Sequence, residues 1–251
     1  FQQAFRELSG RIEKDLSIKD ELEEVSLEDI AEDDAFRIIE LRIISELRNR
    51  VVQDAITLNE LERILQLRGS SYWYDEFEDY YEAIDTALKL LRRIKKYESI
   101  SFQDAEAGFS FYAGEGYQVD QLYRLFLQHY KSQQKDSALK PLYEKVHRAY
   151  SNTWLLKLGD AWQRTLDELD AWPQPPARAQ QRFYQWEVKP YIEKKTRLFV
   201  IISDGLRYEC AESLHQAFQK EQRYESRLDY KITALPSFTA AGMAAMLPHR
   251  Q

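Results

Sequence analysis

Hydrophobic residues recur at helical spacing through most of the chain. Between residues 36 and 51 an apolar side chain returns every three or four positions, which marks one face of an amphipathic helix. Residues 80–94 and 119–129 repeat this pattern. Ser26 and Thr57 each precede an acidic residue by three positions, a spacing typical of helix N-caps. The pattern therefore predicts a mainly α-helical region.

Glycine and proline mark the predicted ends of these helices. Residues 69–71 (Gly-Ser-Ser) and 114–116 (Gly-Glu-Gly) are expected to break the helical pattern. Residues 138–171 predict a further helix or pair of helices. The proline-rich segment 172–176 predicts a loop, because proline is excluded from helix interiors. A last helix is expected over 177–195.

The pattern changes at Thr196. Residues 198–202 (Leu-Phe-Val-Ile-Ile) form a short apolar run followed by Ser-Asp-Gly, which is typical of a strand buried on both faces of a parallel sheet. A helical pattern then covers 207–221, a second strand is predicted at 230–235, and a short helix at 239–247. This order predicts a βαβ unit with parallel strands.

The predicted fold class is a mainly α N-terminal region followed by the start of an α/β domain. We place the boundary so that residues 1–195 form a helical interaction region and residues 196–251 form the incomplete α/β domain. The chain begins with Phe1 and ends at Gln251, a few residues after the segment 235–248, which could carry chemistry. We therefore expect it to be part of a longer protein.

Composition excludes several classes. The chain has 251 residues and a net charge of −7, with 44% hydrophobic and 13% aromatic residues, so a wholly disordered chain is excluded. The single cysteine, Cys210, excludes a disulfide framework and a cysteine-based zinc site. No apolar run approaches the ~20 residues of a membrane span, and no signal peptide is visible. We expect a cytoplasmic protein without a membrane partner. The acidic balance argues against bulk nucleic-acid binding.

Three residues that could carry chemistry follow the two predicted strands. Asp204 comes directly after the first strand, and Ser237 and Thr239 follow the second. Ligands of open α/β sheets bind beyond the carboxyl ends of the strands, so these side chains are expected in one crevice. A carboxylate is a hard ligand for a divalent metal, and a hydroxyl beside a metal can become a nucleophile. The start of a helix at Thr239 would favour an anion such as phosphate. The alternative is that all three residues serve only as turn and cap residues.

The segment from Val200 to Glu209 (VIISDGLRYE) and the segment from Leu235 to Pro248 (LPSFTAAGMAAMLP) resemble the opening of a PglZ domain, which belongs to the alkaline phosphatase superfamily. The preceding helical region resembles, more loosely, the N-terminal part of PglZ proteins from BREX phage-defence systems. The resemblance implies an alkaline-phosphatase-like α/β domain and a metal-dependent phosphatase or phosphodiesterase activity.

Site residues carry over from this resemblance one by one. Asp204 would bind a divalent metal, with zinc the expected ion, and Thr239 would be both the nucleophile and a second contact to the metal. Ser237 is the alternative nucleophile. Arg207 would hold a phosphate oxygen, whereas Glu209 is expected to be a solvated helix residue. Superfamily enzymes complete a pair of metal sites with later Asp and His residues, so this chain alone is expected to be inactive.

The family also implies partners: the DNA methyltransferase PglX and other BREX components, with a nucleic acid, a nucleotide or a phosphoprotein as the substrate. Two other functions stay open from the sequence. One is a helical adaptor of a defence complex whose phosphatase-like domain is catalytically degenerate. The other is a nucleotide-binding α/β domain with Asp204 on a cofactor, which the lack of a glycine-rich turn after Ile202 weakens.

Overall fold

The chain folds into two compact units in the computed structural model. The structure describes three stretches: 2–132, 137–172 and 176–248. Within them, residues 2–98 and 122–156 form the first unit, and residues 99–121 and 157–248 form the second. The predicted domain boundary after residue 195 stays a prediction.

Helices account for the regular structure of the described residues. The α-helices are α1 (Gln2–Asp15), α2 (Ile18–Glu21), α3 (Leu27–Ile30), α4 (Arg37–Val52), α5 (Leu58–Arg68), α6 (Tyr74–Lys95), α7 (Ala105–Phe111), α8 (Tyr117–Ser132), α9 (Lys140–Ala149), α10 (Leu156–Asp167), α11 (Lys189–Glu193), α12 (Tyr208–Lys220) and α13 (Thr239–Ala245). Short π-helical segments occur at Tyr112–Gly116, Tyr150–Leu155 and Tyr184–Val188, and 3-10 turns at Pro176–Arg178 and Gln180–Arg182.

The core of the first unit lies where α4, α6 and α9 pack against one another. The predicted apolar face of α4 is confirmed, because Ile39, Ile43, Leu47 and Val51 are all buried. Apolar residues of α6 are buried in the same way, Ile84 completely. Removal of this much apolar surface from water is the main stabilising term of a helical unit.

The predicted N-caps are also confirmed. The Ser26 hydroxyl accepts a hydrogen bond from the backbone N–H of Asp29 at the start of α3. At the start of α5, Thr57 accepts from the N–H of Glu60, and the Glu60 carboxylate accepts from the N–H of Thr57, which completes a capping box. These side chains satisfy donors that the helix itself leaves without partners.

The predicted break at 114–116 is wrong. The chain passes from α7 through the π-helical segment Tyr112–Gly116 directly into α8. Gly116 serves close packing instead, since a Cβ at this position would lie 3.1 Å from Cε1 of Phe111. The predicted break at residues 69–71 is confirmed, because α5 ends at Arg68 and α6 begins at Tyr74.

The second unit has a smaller core, built on aromatic side chains. The Phe109 ring packs against Trp162, Trp172 and Tyr230, at centroid distances of 4.9, 6.2 and 5.8 Å. The helix expected over 177–195 consists of short 3-10 and π-helical pieces followed by α11. Part of the loop predicted at 172–176 lies outside the described residues.

The predicted βαβ unit is shown only in its helices. α12 and α13 form where the sequence predicts them, but within the described stretches the structure assigns no strand to 198–202 or 230–235. The β pairing found there is an isolated parallel bridge between Ala179 and Ile232. Phe199 and Ile201 are 79% and 92% exposed. A strand buried on both faces needs hydrogen-bonded neighbours and covering elements, and the exposure of Phe199 and Ile201 shows that the described residues do not cover 198–202 in this way. The parallel strands stay a prediction.

No helix in the described part of the chain is both long enough and apolar enough to cross a membrane.

Candidate functional site

Asp204 lies in the turn between the apolar run 198–202 and α12. The residue after it, Gly205, has a φ of +69°, a conformation that L side chains rarely adopt. Glycine at this position lets the chain reverse direction directly after Asp204. The carboxylate is thereby presented on an exposed turn.

Thr239 is the first residue of α13, and its hydroxyl faces Asp204. Its Oγ1 donates to the Asp204 carboxylate, at 3.3 Å from Oδ1 and 3.4 Å from Oδ2. The structure therefore brings together two predicted site residues that are 35 positions apart in sequence. Since α13 spans only seven residues, we assign no anion site to its N-terminus.

A solvent-open cleft of about 520 Å³ surrounds this pair. Ser237, the alternative nucleophile, lines the same cleft. Further lining residues are mostly apolar, and include Phe183, Ile201, Phe238, Met243 and Met246. The cleft thus combines a polar pair with an apolar wall, the usual composition of a small-ligand site.

Arg207 does not line this cleft. Its Nε donates to Oε1 of Glu209 at 2.9 Å, and its guanidinium lies 3.6 Å from Oδ2 of Asp120. Asp120 in turn accepts a 2.5 Å hydrogen bond from the Tyr112 hydroxyl. Burial is the main cause that raises the pKa of Tyr112, and this hydrogen bond is the second. Arg207 as a phosphate ligand stays a prediction.

The expectation that Glu209 is solvated is wrong. Its side chain is fully buried in the first turn of α12, and within the described residues its Oε2 has no hydrogen-bond partner. Burial of a carboxylate is costly unless a cation compensates the charge, and here the Arg207 guanidinium does so.

The residues present could hold part of a metal site. Asp204 and Thr239 offer adjacent oxygen donors, which suit a hard or borderline divalent cation. Among the described residues no cluster of three or more His, Cys, Asp or Glu side chains could hold a metal ion. Zinc usually takes four ligands, so this pair supplies only part of a complete set. His249, which follows the second motif, lies outside the described residues.

Gln180 is a lining residue that the sequence did not indicate. It belongs to the 3-10 turn Gln180–Arg182, which packs against α13. Its side-chain amide lies over Gly242, where a Cβ would be 3.5 Å from Nε2. Gly242 follows Thr239 by three positions and shares its helix face. No motif marks Gln180, so only the tertiary structure reveals its position.

Comparison with known proteins gives this geometry a family context. Residues 183–251 match the family model of the BREX system PglZ alkaline phosphatase-like domain. The chain is 34% identical over 226 residues to the alkaline phosphatase-like protein BrxZ of Escherichia coli O9:H4 (strain HS), covering 85% of this chain and 26% of that protein. It is 26% identical over 249 residues to the alkaline phosphatase-like protein PglZ of Bacillus cereus (strain H3081.97), covering 98% of this chain and 29% of that protein.

The chain therefore spans between a quarter and a third of the length of these curated relatives. No solved structure matches it. The matched segment begins at residue 183 and contains both Asp204 and Thr239. Together, the domain match and the two similarities that extend across the helical region show that the chain belongs to the PglZ family of BREX systems.

Proposed function

We propose that this chain contributes the nucleophile and one metal ligand to a metal-dependent phosphatase or phosphodiesterase. Thr239 is the nucleophile and Asp204 the ligand. The observation that supports this most directly is the contact between Thr239 Oγ1 and the Asp204 carboxylate inside the cleft. The match to an alkaline phosphatase-like domain, which contains both residues, supports the reaction class.

The chemistry of Thr239 follows from its surroundings. The Asp204 carboxylate accepts from Oγ1 and so fixes the orientation of the hydroxyl. The Thr239 proton leaves to solvent, since both residues are exposed. Oγ1 then forms a bond to phosphorus while the bond from phosphorus to the leaving oxygen breaks, and that oxygen takes up a proton from solvent. Attack by water on the resulting phosphothreonine regenerates the hydroxyl and releases phosphate or a phosphomonoester.

A divalent cation, with zinc proposed from the family resemblance, would be held by Asp204 and Thr239. When bound, it would polarise the phosphoryl group and favour the deprotonated hydroxyl. Since these two residues supply only part of a coordination shell, further ligands must come from outside the described residues.

The cellular setting belongs to the same proposal. BREX membership of the family suggests a role in bacterial defence against phages, in a complex that includes the methyltransferase PglX. A cytoplasmic location fits that role. The mainly helical first unit is the part of the chain that we propose for contacts with such partners.

The test measures zinc-dependent hydrolysis of bis(4-nitrophenyl) phosphate. It uses a polypeptide of the relatives' length that contains this chain, with Thr239→Ala, Thr239→Ser and Ser237→Ala variants of verified folding. Thr239→Ala should lower kcat by at least about a thousandfold, since loss of a nucleophile typically costs more than this. Thr239→Ser should retain part of the activity and Ser237→Ala most of it.

Other outcomes assign the function differently. Loss of activity in Ser237→Ala but not in Thr239→Ala would make Ser237 the nucleophile. If the unsubstituted protein neither hydrolyses the ester nor retains zinc, the catalytic proposal fails. A helical adaptor with a degenerate phosphatase-like domain would then be the better account.

A further inference from the structure

Gln180 is one of the polar residues that line the cleft and have no role in the proposed chemistry. Its Oε1 is buried, and in the described part of the chain it has no hydrogen-bond partner. A buried acceptor without a donor costs free energy, about 1–3 kcal/mol in typical cases. An unsatisfied buried group calls for an explanation, and a ligand that donates to this oxygen is one.

The backbone holds Gln180 firmly at this place. Its N–H donates to the Ile232 carbonyl at 2.8 Å, and the Ile232 N–H donates to the Arg178 carbonyl at 2.8 Å. This pair of hydrogen bonds, the parallel bridge between Ala179 and Ile232, joins the Gln180 turn to the segment that leads to Thr239. The backbone that carries Gln180 is therefore held to the segment that leads to the proposed nucleophile, and a specificity-determining group needs such support.

The rest of the cleft wall indicates which kind of group would lie beside this amide. Phe183 and Phe238 line the same cleft, and Phe238 is 58% exposed. Aromatic faces favour stacking with a flat ring, and an amide reads the hydrogen-bonding edge of such a ring. A phosphorylated serine or threonine of a protein would offer neither a flat ring nor an edge to read.

We infer that Gln180 is a specificity-determining residue that accepts a hydrogen bond from the nucleoside part of a nucleotidyl phosphoester. The inference rests on the proposed function, because it places the phosphorus of the same substrate at Thr239. Gln180 precedes the matched domain segment, which begins at residue 183. Part of the substrate specificity would thus come from the polypeptide before that segment.

The test compares two phosphodiesters with the same leaving group. Thymidine 5′-(4-nitrophenyl phosphate) carries hydrogen-bond donors, whereas bis(4-nitrophenyl) phosphate carries none. The Gln180→Met variant keeps the side-chain volume and removes the acceptor. We expect kcat/KM on the thymidine ester to fall about tenfold, the size of one good hydrogen bond, and kcat/KM on the other ester to stay unchanged. The 3′-deoxy ester shows whether the donor is the sugar hydroxyl or the base N–H.

A matched control is the next residue. Gln181 also has a buried Oε1 without a partner in the described residues, but it does not line the cleft. Gln181→Met should leave kcat/KM unchanged on both esters. An equal loss on both esters, or no loss on either, in the Gln180→Met variant would overturn the inference, as would the same selective loss in Gln181→Met.

Binding separates this inference from the proposed catalysis. Calorimetric titration with thymidine 5′-phosphate measures affinity even if no ester is hydrolysed. Binding that weakens about tenfold in Gln180→Met supports the subsite, and without hydrolysis only the catalytic proposal would fail. Binding that is absent, or equal in both proteins, would overturn the subsite.

Discussion

The turn at Asp204 shows how one residue without a side chain can set a site. Gly205 has a φ of +69°, and there is open space where its Cβ would be. A side chain at this position would therefore not collide with neighbouring residues. The backbone conformation alone demands glycine, because left-handed geometry costs other residues about 1–2 kcal/mol.

We therefore predict opposite effects for two glycine substitutions in the second unit. Gly205→Ala should lower the free energy of unfolding by about 1–2 kcal/mol. Gly159→Ala, in the interior of α10 and also with open space around it, should raise it by about 0.5–1 kcal/mol, since alanine favours the helix. Urea denaturation of the two variants measures both values. If both substitutions changed the free energy of unfolding by the same amount and in the same direction, the left-handed backbone at Gly205 would not require glycine.

At the residue scale, the sequence indicates some site residues and hides others. Asp204 and Thr239 were predictable because both follow apolar segments at positions where ligands of α/β sheets bind. The structure places Oγ1 of Thr239 3.3 Å from Oδ1 of Asp204. Gln180 and Glu209 were not predictable. Their roles depend on which side chains cover them, and neither a motif nor a spacing records that.

At the scale of elements, a buried ion pair ties α4, α5 and α6 together. Arg68, the last residue of α5, and Glu40, in the first turn of α4, are almost completely buried and paired. The Tyr81 hydroxyl on α6 donates to the same carboxylate, and Ser71 Oγ does so at 2.6 Å. Burial and the Glu40 charge together raise the pKa of Tyr81 well above its ordinary value, which keeps the phenol protonated as a donor.

A double-mutant cycle tests the energetics of this network. Glu40→Leu alone should lower the free energy of unfolding by about 3–5 kcal/mol, because the Arg68 guanidinium is left buried without its partner. Glu40→Leu combined with Arg68→Met should cost less than Glu40→Leu alone. Glu46→Gln, which breaks partly exposed pairs on the same helix, should cost less than about 1 kcal/mol. Urea denaturation measures these free energies. If the effects of Glu40→Leu and Arg68→Met simply add, the two side chains are not energetically coupled.

Element prediction succeeds where the information is local. Helical periodicity and capping residues lie within one turn of each other in sequence, so α4, α5 and the caps at Ser26 and Thr57 were predictable. The break at 114–116 was wrong because glycine there accommodates the Phe111 ring, which is a matter of packing. A strand at 198–202 stays a prediction, because its formation depends on neighbouring strands and periodicity carries no information about them.

At the scale of the whole molecule, apolar surface is distributed unevenly. Apart from Phe238 and Met243 in the cleft, the second unit exposes large hydrophobic side chains, most of them in or after the run 198–202: Leu198, Phe199, Val200, Ile201, Ile202, Leu206, Leu214, Phe218, Tyr224, Leu235 and Leu247. Where such side chains form a large contiguous patch on a monomer, the patch usually marks a surface to which something binds. The curated relatives are between three and four times as long as the aligned part, and we propose that polypeptide of this additional length covers the surface.

The last prediction compares two lengths of polypeptide. In this chain, the double substitution Phe199→Ser and Ile201→Ser should change the free energy of unfolding by less than about 0.5 kcal/mol, since both side chains are exposed. In a polypeptide of the relatives' length, the same change should cost several kcal/mol (about 2–5 for each buried side chain), because the proposed strand would then be covered on both faces. Leu8→Ser, at an exposed position of α1, is the control that should be small in both proteins. Thermal unfolding of the six proteins, which are the two parents and two variants of each, gives the change in stability. A small effect of the double substitution in the longer protein would remove the βαβ proposal and, with it, the argument that Asp204 lies at the end of a strand.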